Sequence, residues 1–466
     1  MLLEDYRNER LKKLEEIKAR GIDPYPAKSY RNTKISDIID HFDEKAGQEV
    51  IVAGRIVAIR SFGKLVFLKI RDYFGEVQIF MKAVDEQPEG LFGAKDVRLL
   101  DTGDFIEAKG IVDKSQTGEI SVFANFVRLL TKSLRPLPEQ FTNKEVRERL
   151  VRRSKFWQAT RDFMNAHGFI EVNVPVLEHT TGGADATPFV THINAYDEDL
   201  YLRISHELPL KRLLGGGFEK VYDIGPRFRN EGVDDEHLPE HIAFESYAAY
   251  DNYEDGIKLY EEMIKYVAKE TWGTLKFHVG GFDIDLEGEW PRVKYSDLLK
   301  EKYNVDVFNP DRAQLLQILK DNGVEVKEGV STSRLIDDVW KLIRKTSAGP
   351  YWLVEEPLAL SPLAKVSPEN PLVTERFHPI IAGTEMGNGY SELNDPLDQL
   401  NRFKEQQAAR DAGDDEAQML DQDFVEMLEY GMPPACGWGN SERNFWLLEG
   451  VPGREAVPFP TMKEKE

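Results

Sequence analysis

The densest run of chemically capable side chains in this 466-residue chain is RFRNEGVDDEHLPEHIAFESY at 227–247. An Arg at a strand end, a polar loop and a returning strand with Glu245 and Tyr247 would present Arg229, Glu231 and His237 to a bound anion. Arg suits that task because its planar fork grips carboxylate or phosphate through two N–H groups at once. A second stretch, GTEMGNGYSELND at 383–395, carries Glu385, Asn388, Tyr390 and Glu392. Positions 388, 390 and 392 share the parity of one strand face, which gathers an amide, a phenol and an acid on one side of a sheet. A third, GWGNSERNFW at 437–446, reads as a Gly-rich turn before Arg443 and an apolar helix start.

Other chemistries fall away. No G-x-x-x-x-G-K-[ST] occurs, so there is no Walker-type phosphate loop. Asp283, Asp285, Glu287 and Gly288 imitate the opening of an EF-hand, but Lys294 stands where calcium needs a bidentate Glu. HLPEH at 237–241 imitates an inverted zinc-peptidase motif, yet Pro239 between the histidines is incompatible with the helix that chemistry requires. The single Cys436 excludes an internal disulfide framework and a four-cysteine zinc site.

The elements that must position these residues follow from periodicity. Residues 49–132 alternate in strand fashion between glycines, with five β-rich segments and no long helix outside 83–99, which fits a five-stranded OB-type barrel. SLRPLPEQFTNK at 133–144 reads as a linker. Beyond it, helical patterns at 145–166, 251–270, 310–345 and 397–430 are interspersed irregularly with strand patterns at 169–177, 200–204, 219–224, 242–250, 275–287, 350–360 and 378–388. Such irregular order predicts an α+β domain, with a mostly antiparallel sheet flanked by helices, rather than a parallel βαβ array. The expected organisation is 1–132 helix plus barrel, 133–144 linker and 145–466 α+β domain.

The formal net charge of −22 gives no whole-molecule attraction to an anionic partner. Residues 144–161, with seven Lys or Arg against two Glu, are a local exception that a solvated helix face also explains. The first residues lack a signal-peptide apolar block and no run approaches a membrane span, so the expected location is cytoplasmic.

Together the three stretches resemble the class II aminoacyl-tRNA synthetases, specifically the class II lysyl-tRNA synthetases. GFIEVNVPVLEHTTGGADATPF at 168–189 is similar to the family's first motif, which ends at a proline, here Pro175, at a dimer interface. RFRNEG…HLPEH…FESY is similar to the second motif and GWGNSERNFW to the third, with flanks YLRISHELPLKRLL and DFVEMLEYGMPP in matching order. The resemblance implies ATP-dependent activation of L-lysine to an adenylate and its transfer to the 3′ end of tRNA-Lys, by a homodimer using Mg2+. It implies that Arg229 bridges the lysine carboxylate and the α-phosphate, with Asn388 also on the carboxylate. Glu231, His237 and Arg443 contact ATP, His241 takes the place of an adenine-stacking phenylalanine, and Glu385 is the magnesium-binding acid. Glu207 and the Gly183 backbone take the α-ammonium. Glu392 and Tyr247 take the ε-ammonium, Tyr390 lies along the methylene stem and Glu245 supports the pocket. In the barrel, Arg60, Phe67, Gln78 and Glu119 match positions that read a U-rich anticodon. Four departures accompany the match: His378 where a second metal-binding acid is usual, His241, a shortened third motif, and a short segment before the first motif. Two other readings stay open on sequence: a weakened relative that binds RNA without charging it, and a ligase attaching lysine to a protein. Residues 290–350 carry no interpretable motif and read as helical packing around the sheet.

Overall fold

The computed structural model describes residues 3–63, 65–82, 92–137, 143–235, 237–326, 330–411 and 417–463. The chain divides into two compact units, Met1–Asn143 and Lys144–Glu466.

In the first unit, five strands close a barrel in the order β1-β2-β3-β5-β4: β1 (Glu49–Phe62), β2 (Leu65–Arg71), β3 (Glu76–Lys82), β4 (Phe105–Lys114) and β5 (Ile120–Thr131). Alternate residues of each strand are apolar and enter one core, including Val50, Val52 and Ile56 of β1 and Val66, Leu68 and Ile70 of β2. Each such side chain contributes about 1.5–3 kcal/mol by leaving water. A helix, Leu3–Ala19, adds Ile17 to that core. Of the helix expected near 83–99, residues 83–91 lie outside the described residues, and a 3-10 turn occupies Ala94–Leu99.

The second unit is built on a sheet of nine strands: β6 (Ile170–Glu171), β10 (Lys220–Phe228), β11 (Glu240–Ala249), β14 (Arg292–Lys294), β15 (Tyr351–Val354), β16 (Arg376–Ile381), β17 (Thr384–Glu385), β18 (Asn388–Ser391) and β19 (Ala435–Ser441). Their order is β14-β15-β16-β18-β19-β11-β10-β6, with β17 paired to β16. Only β10·β6 and β14·β15 pair in parallel within it, so the sheet is mostly antiparallel, as the irregular element order predicts. Small separate sheets join β7 (Leu177–Glu178), β8 (Val190–Ile193) and β9 (Glu198–Leu202), and pair β12 (Lys276–Val279) with β13 (Phe282–Asp285). The strand expected over 169–177 is reduced to two short pieces, β6 and β7. The intervening VNVPV at 172–176 holds Pro175, which cannot donate to a ladder.

Helices flank the sheet. Tyr253–Trp272 starts at an Asn252 cap whose side chain accepts from the Glu254 and Asp255 amides, while Asp255 returns to the Asn252 amide. Its buried face of Ile257, Tyr260, Met263, Ile264 and Val267 enters the core beneath the sheet, alongside Trp438 and Phe244. Helices Tyr295–Tyr303, Arg312–Asp321 and Thr332–Arg344 form a satellite core with Leu353 and Ile380 of the sheet. Among the described residues no helix is long and apolar enough to cross a membrane.

Candidate functional site

The third motif corrects one expectation first. GWGNS is no turn: it lies in β19, between β11 and β18. The register places Gly439 between Glu245 and Asn388, and Gly437 between Tyr247 and Tyr390. Glycine is required there by space. A Cβ on Gly437 would overlap Glu392 Oε1 and the Tyr247 ring, and one on Gly439 would sit 2.8 Å from Glu245 Cγ. The middle strand is thus a bare floor, and the two outer strands supply walls of acid, amide and phenol.

Helix Glu207–Gly215 closes one end of this trough. Glu207 is buried, and its Oε1 accepts from Tyr390 Oη at 2.5 Å and from Lys211 Nζ at 2.5 Å. Lys211 Nζ also lies 2.5 Å from Glu392 Oε2. Gly183, at φ +83, packs so closely that a Cβ there would lie 2.7 Å from Glu207 Cβ. Glu245 is held by Ser205 Oγ (2.9 Å), the His206 amide (3.2 Å), Tyr247 Oη (3.1 Å on its other oxygen) and Arg227 (3.6 Å). Burial pushes Glu392 up to about 8, against the pull of Lys211. Burial alone would lower Lys211, but Glu207 and Glu392 outweigh it and hold its ammonium charged.

Arg229 follows directly on β10, where Phe228 and Glu240 make the last pair of the β10–β11 hairpin. Its amide donates to Pro239 O (2.9 Å) across the base of the loop at 229–239. Within that loop Glu231 is exposed, and His237 is tied to Asp234 through its amide (2.8 Å) and its Nδ1 (2.8 Å). His241 is in β11 rather than in the loop. Its Nε2 accepts from Arg227 Nε (2.9 Å) and its Nδ1 faces Leu238 O (3.2 Å), which assigns the proton to Nδ1. Burial, with Arg227 and Arg229 nearby, lowers it to about 2, so the ring is neutral and flat-faced.

Arg443 opens the helix Arg443–Glu449 directly after β19. The turn is locked by buried Glu442, which accepts from the Ile242 amide (2.9 Å) and pairs with Arg153 of helix Lys144–Ala166 (2.6 Å). Burial lowers Arg443 from its ordinary range.

Glu385 stands on β17, its Oε1 accepting from Trp340 Nε1 (2.7 Å) and pairing with Arg344 (3.3 Å). His378 lies between two acids, Nε2 at 3.2 Å from Glu356 and Nδ1 at 3.9 Å from Glu385. Burial would raise Glu385, but His378 and Arg344 outweigh it and hold the carboxylate low. Among the described residues no group of three His, Cys, Asp or Glu could cage a metal. One ionised carboxylate, Glu385, nonetheless fits magnesium, which is commonly held by one or two carboxylates plus substrate phosphates. The segment 290–350, which carried no motif, therefore reaches the site through Trp340 and Arg344.

On the barrel, Arg60, Phe67, Phe80 and Phe123 form a row across β1, β2, β3 and β5. Ring centroids lie 5.2 Å apart for Phe67–Phe80 and 5.0 Å for Phe80–Phe123. Gln78 donates to Ser121 Oγ (2.9 Å), and exposed Glu119 accepts from Ser121 Oγ through its carbonyl (3.0 Å). All four expected residues thus lie on or beside one aromatic face. Phe80, Phe123, Lys211, Trp340, Arg344, Glu356 and Glu442 escaped sequence reasoning. Only Lys211 left a local signal, since it stands four residues after Glu207 on one helix face.

A glycine-floored antiparallel sheet, with an Arg at a hairpin end, a second Arg opening a helix and a separate five-stranded barrel upstream, has the architecture of a class II synthetase. A family model described as tRNA synthetases class II (D, K and N) matches residues 137–463. A second, described as an OB-fold nucleic acid binding domain, matches 50–130. The chain belongs to the class II tRNA synthetase family of the D, K and N type. It is 41% identical to a lysine--tRNA ligase of Thermotoga maritima, across 100% of this chain and 97% of that one. It is 40% identical to one of Thermosipho africanus (99% and 97% covered) and 41% to one of Moorella thermoacetica (98% and 97%).

Proposed function

We propose that this protein activates L-lysine with ATP and transfers the lysyl group to the 3′ end of tRNA-Lys, the activity named for its full-length relatives. The observation that carries the lysine assignment is the trough itself: buried Glu207, Glu245 and Glu392 around a glycine floor, with Tyr247 and Tyr390 as walls. A slot with apolar sides and several buried carboxylates suits a side chain that is a methylene stem ending in an ammonium.

In the first step a lysine carboxylate oxygen attacks the α-phosphorus of ATP, and pyrophosphate leaves with the broken bond's electron pair. The nucleophile belongs to the substrate, so the protein's task is positioning and charge neutralisation. Arg229 bridges the lysine carboxylate and the α-phosphate, and Asn388 holds the carboxylate from the opposite wall. Glu231 and His237 hold ATP from the loop, the neutral His241 ring stacks on adenine, and Arg443 neutralises the far phosphate. Glu207 and the Gly183 backbone take the α-ammonium; Glu392 and Tyr247 take the ε-ammonium, with Tyr390 on the stem and Glu245 in support. Magnesium held by Glu385 would supply further neutralisation of phosphate charge. In the second step a terminal ribose hydroxyl of tRNA attacks the adenylate carbonyl and AMP leaves. Arg60, Phe67, Gln78 and Glu119 read the anticodon on the barrel. The working form is a homodimer in the cytoplasm.

Pyrophosphate–ATP exchange with each amino acid in turn, with magnesium and without tRNA, tests the assignment. Exchange with lysine alone is expected. Exchange driven by another amino acid would overturn the pocket, and exchange with none would favour an RNA-binding protein without charging activity.

A further inference from the structure

Lys211 has no part in the roles above, yet its ammonium occupies the chemical centre of the pocket. The side chain is fully buried, 2.5 Å from a carboxylate oxygen of Glu207 on one side and of Glu392 on the other. The ring centroids of Tyr390, Phe424 and Tyr247 lie 5.3, 5.9 and 6.0 Å from its nitrogen. Two acids under aromatic faces are what an ammonium ligand needs, and here the protein supplies one such ammonium itself.

The charges around it are uneven. Glu245 has its own cation in Arg227, and it accepts hydrogen bonds from the Ser205 hydroxyl, the His206 amide and the Tyr247 hydroxyl over its two oxygens. Glu207 and Glu392 share Lys211 between them, and Tyr390 Oη adds a hydrogen bond to Glu207. Both Glu392 oxygens are buried with no hydrogen-bond partner among the described residues; Oε2 has the ion pair with Lys211, while Oε1 lies over the bare floor at Gly437. The acid pair is thus one cation short, and its unpaired oxygen is the one that faces the trough.

We propose that Lys211 is the resident counter-cation of the pocket, a specificity-determining positioning residue that satisfies one charge of the Glu207–Glu392 pair and leaves Glu392 Oε1 to accept a single side-chain ammonium from the substrate. This rests on the lysine-activating reading. Without Lys211 the two buried carboxylates would face each other uncompensated and hold their protons to higher pH still, beyond displacement by an incoming ammonium, since like charges at close range do not both ionise. A protonated Glu392 no longer demands a cation, so selection against an uncharged, unbranched side chain weakens.

The test compares wild type with Lys211→Ala and Lys211→Met in pyrophosphate exchange, using lysine and its uncharged analogue norleucine. Loss of a buried charge partner is expected to raise the lysine KM by about 100-fold, with the norleucine KM changing far less, so that discrimination collapses. n-Propylammonium added to Lys211→Ala should restore the lysine KM saturably, whereas n-propanol, of the same size and uncharged, should not. A purely packing role would show rescue by both additives, or equal losses for both amino acids, and either result overturns the proposal. So does a Lys211→Met enzyme with wild-type discrimination. If the Ala variant does not fold, the volume-conserving Met variant decides through its lysine-to-norleucine ratio. Wild-type exchange with lysine is measured first: its absence removes the lysine reading, while its presence with an unaltered Lys211→Met removes only the role of Lys211.

Discussion

Arg229 is where the proposed chemistry is most concentrated, because one guanidinium would serve both reacting partners. Arg229→Ala is expected to lower kcat/KM for exchange by about 100-fold or more, and Arg229→Lys to recover little, since a point charge cannot bridge two anions as a planar fork does. Near-normal exchange by Arg229→Ala would remove it from the site. Glu392 carries a pH signature. With burial placing it at about 8, the empty pocket holds a proton below that value which an incoming ammonium displaces. The substrate's own ε-ammonium, near 10.4, stays charged throughout that range. Lysine binding therefore releases a proton and strengthens as pH rises, so the lysine KM should fall by up to about tenfold per unit toward a plateau above about 8. Lys211, Glu207, Glu245, Tyr247 and Tyr390 face the same group, and Lys211 stays charged across this window because the two acids raise it. A lysine KM that is flat from acid to mild alkali would refute the assignment. At this scale the sequence exposed acids and arginines through their spacing. It hid Lys211, because a buried lysine and a surface lysine look alike until the opposing strand brings Glu392 to it.

At the scale of elements, β19 is the piece whose nature was least legible. Two glycines beside a tryptophan read as a turn because glycine ordinarily weakens strands. Only the pairing with β11 and β18 shows that a side chain there would fill the trough. Gly437→Ala is therefore expected to raise the lysine KM strongly while changing the ATP KM little, with a stability loss of about 1–3 kcal/mol from overpacking. Equal changes in both KM values would point to general disruption of the sheet. The antiparallel sheet itself was legible, since strand and helix patterns alternate too irregularly for βαβ units. The short β6 and β7 were not, because Val172 and Val174 are strand-forming residues in a segment that, with Pro175 in it, finds little ladder. Segment 290–350 shows the same limit. Its helices were visible, but the reach of Trp340 to Glu385 depends on packing that no local pattern encodes. Trp340→Phe removes that hydrogen bond and keeps an aromatic ring, so it should alter the magnesium dependence of exchange more than the lysine KM.

At the scale of the whole molecule, a chain of net charge −22 must bind a polyanion through local surface. The aromatic row Phe67–Phe80–Phe123 offers stacking, which tolerates unfavourable long-range charge better than phosphate contacts alone. Phe67→Ala in the full chain should weaken tRNA binding by about 1–3 kcal/mol and leave lysine-dependent exchange intact. Loss of exchange in that variant would contradict a division of labour between barrel and sheet. The barrel was legible because five alternating segments bounded by glycines have few other ways to close. Phe80 and Phe123 joined its face only through register. The most direct measurement is aminoacylation of tRNA-Lys with labelled lysine, ATP and magnesium by the full chain. Lysine ester-linked to the tRNA 3′ end, abolished when that end is oxidised by periodate, is the expected result. Lysine-dependent exchange without any charging, or label retained on periodate-treated tRNA, would contradict it.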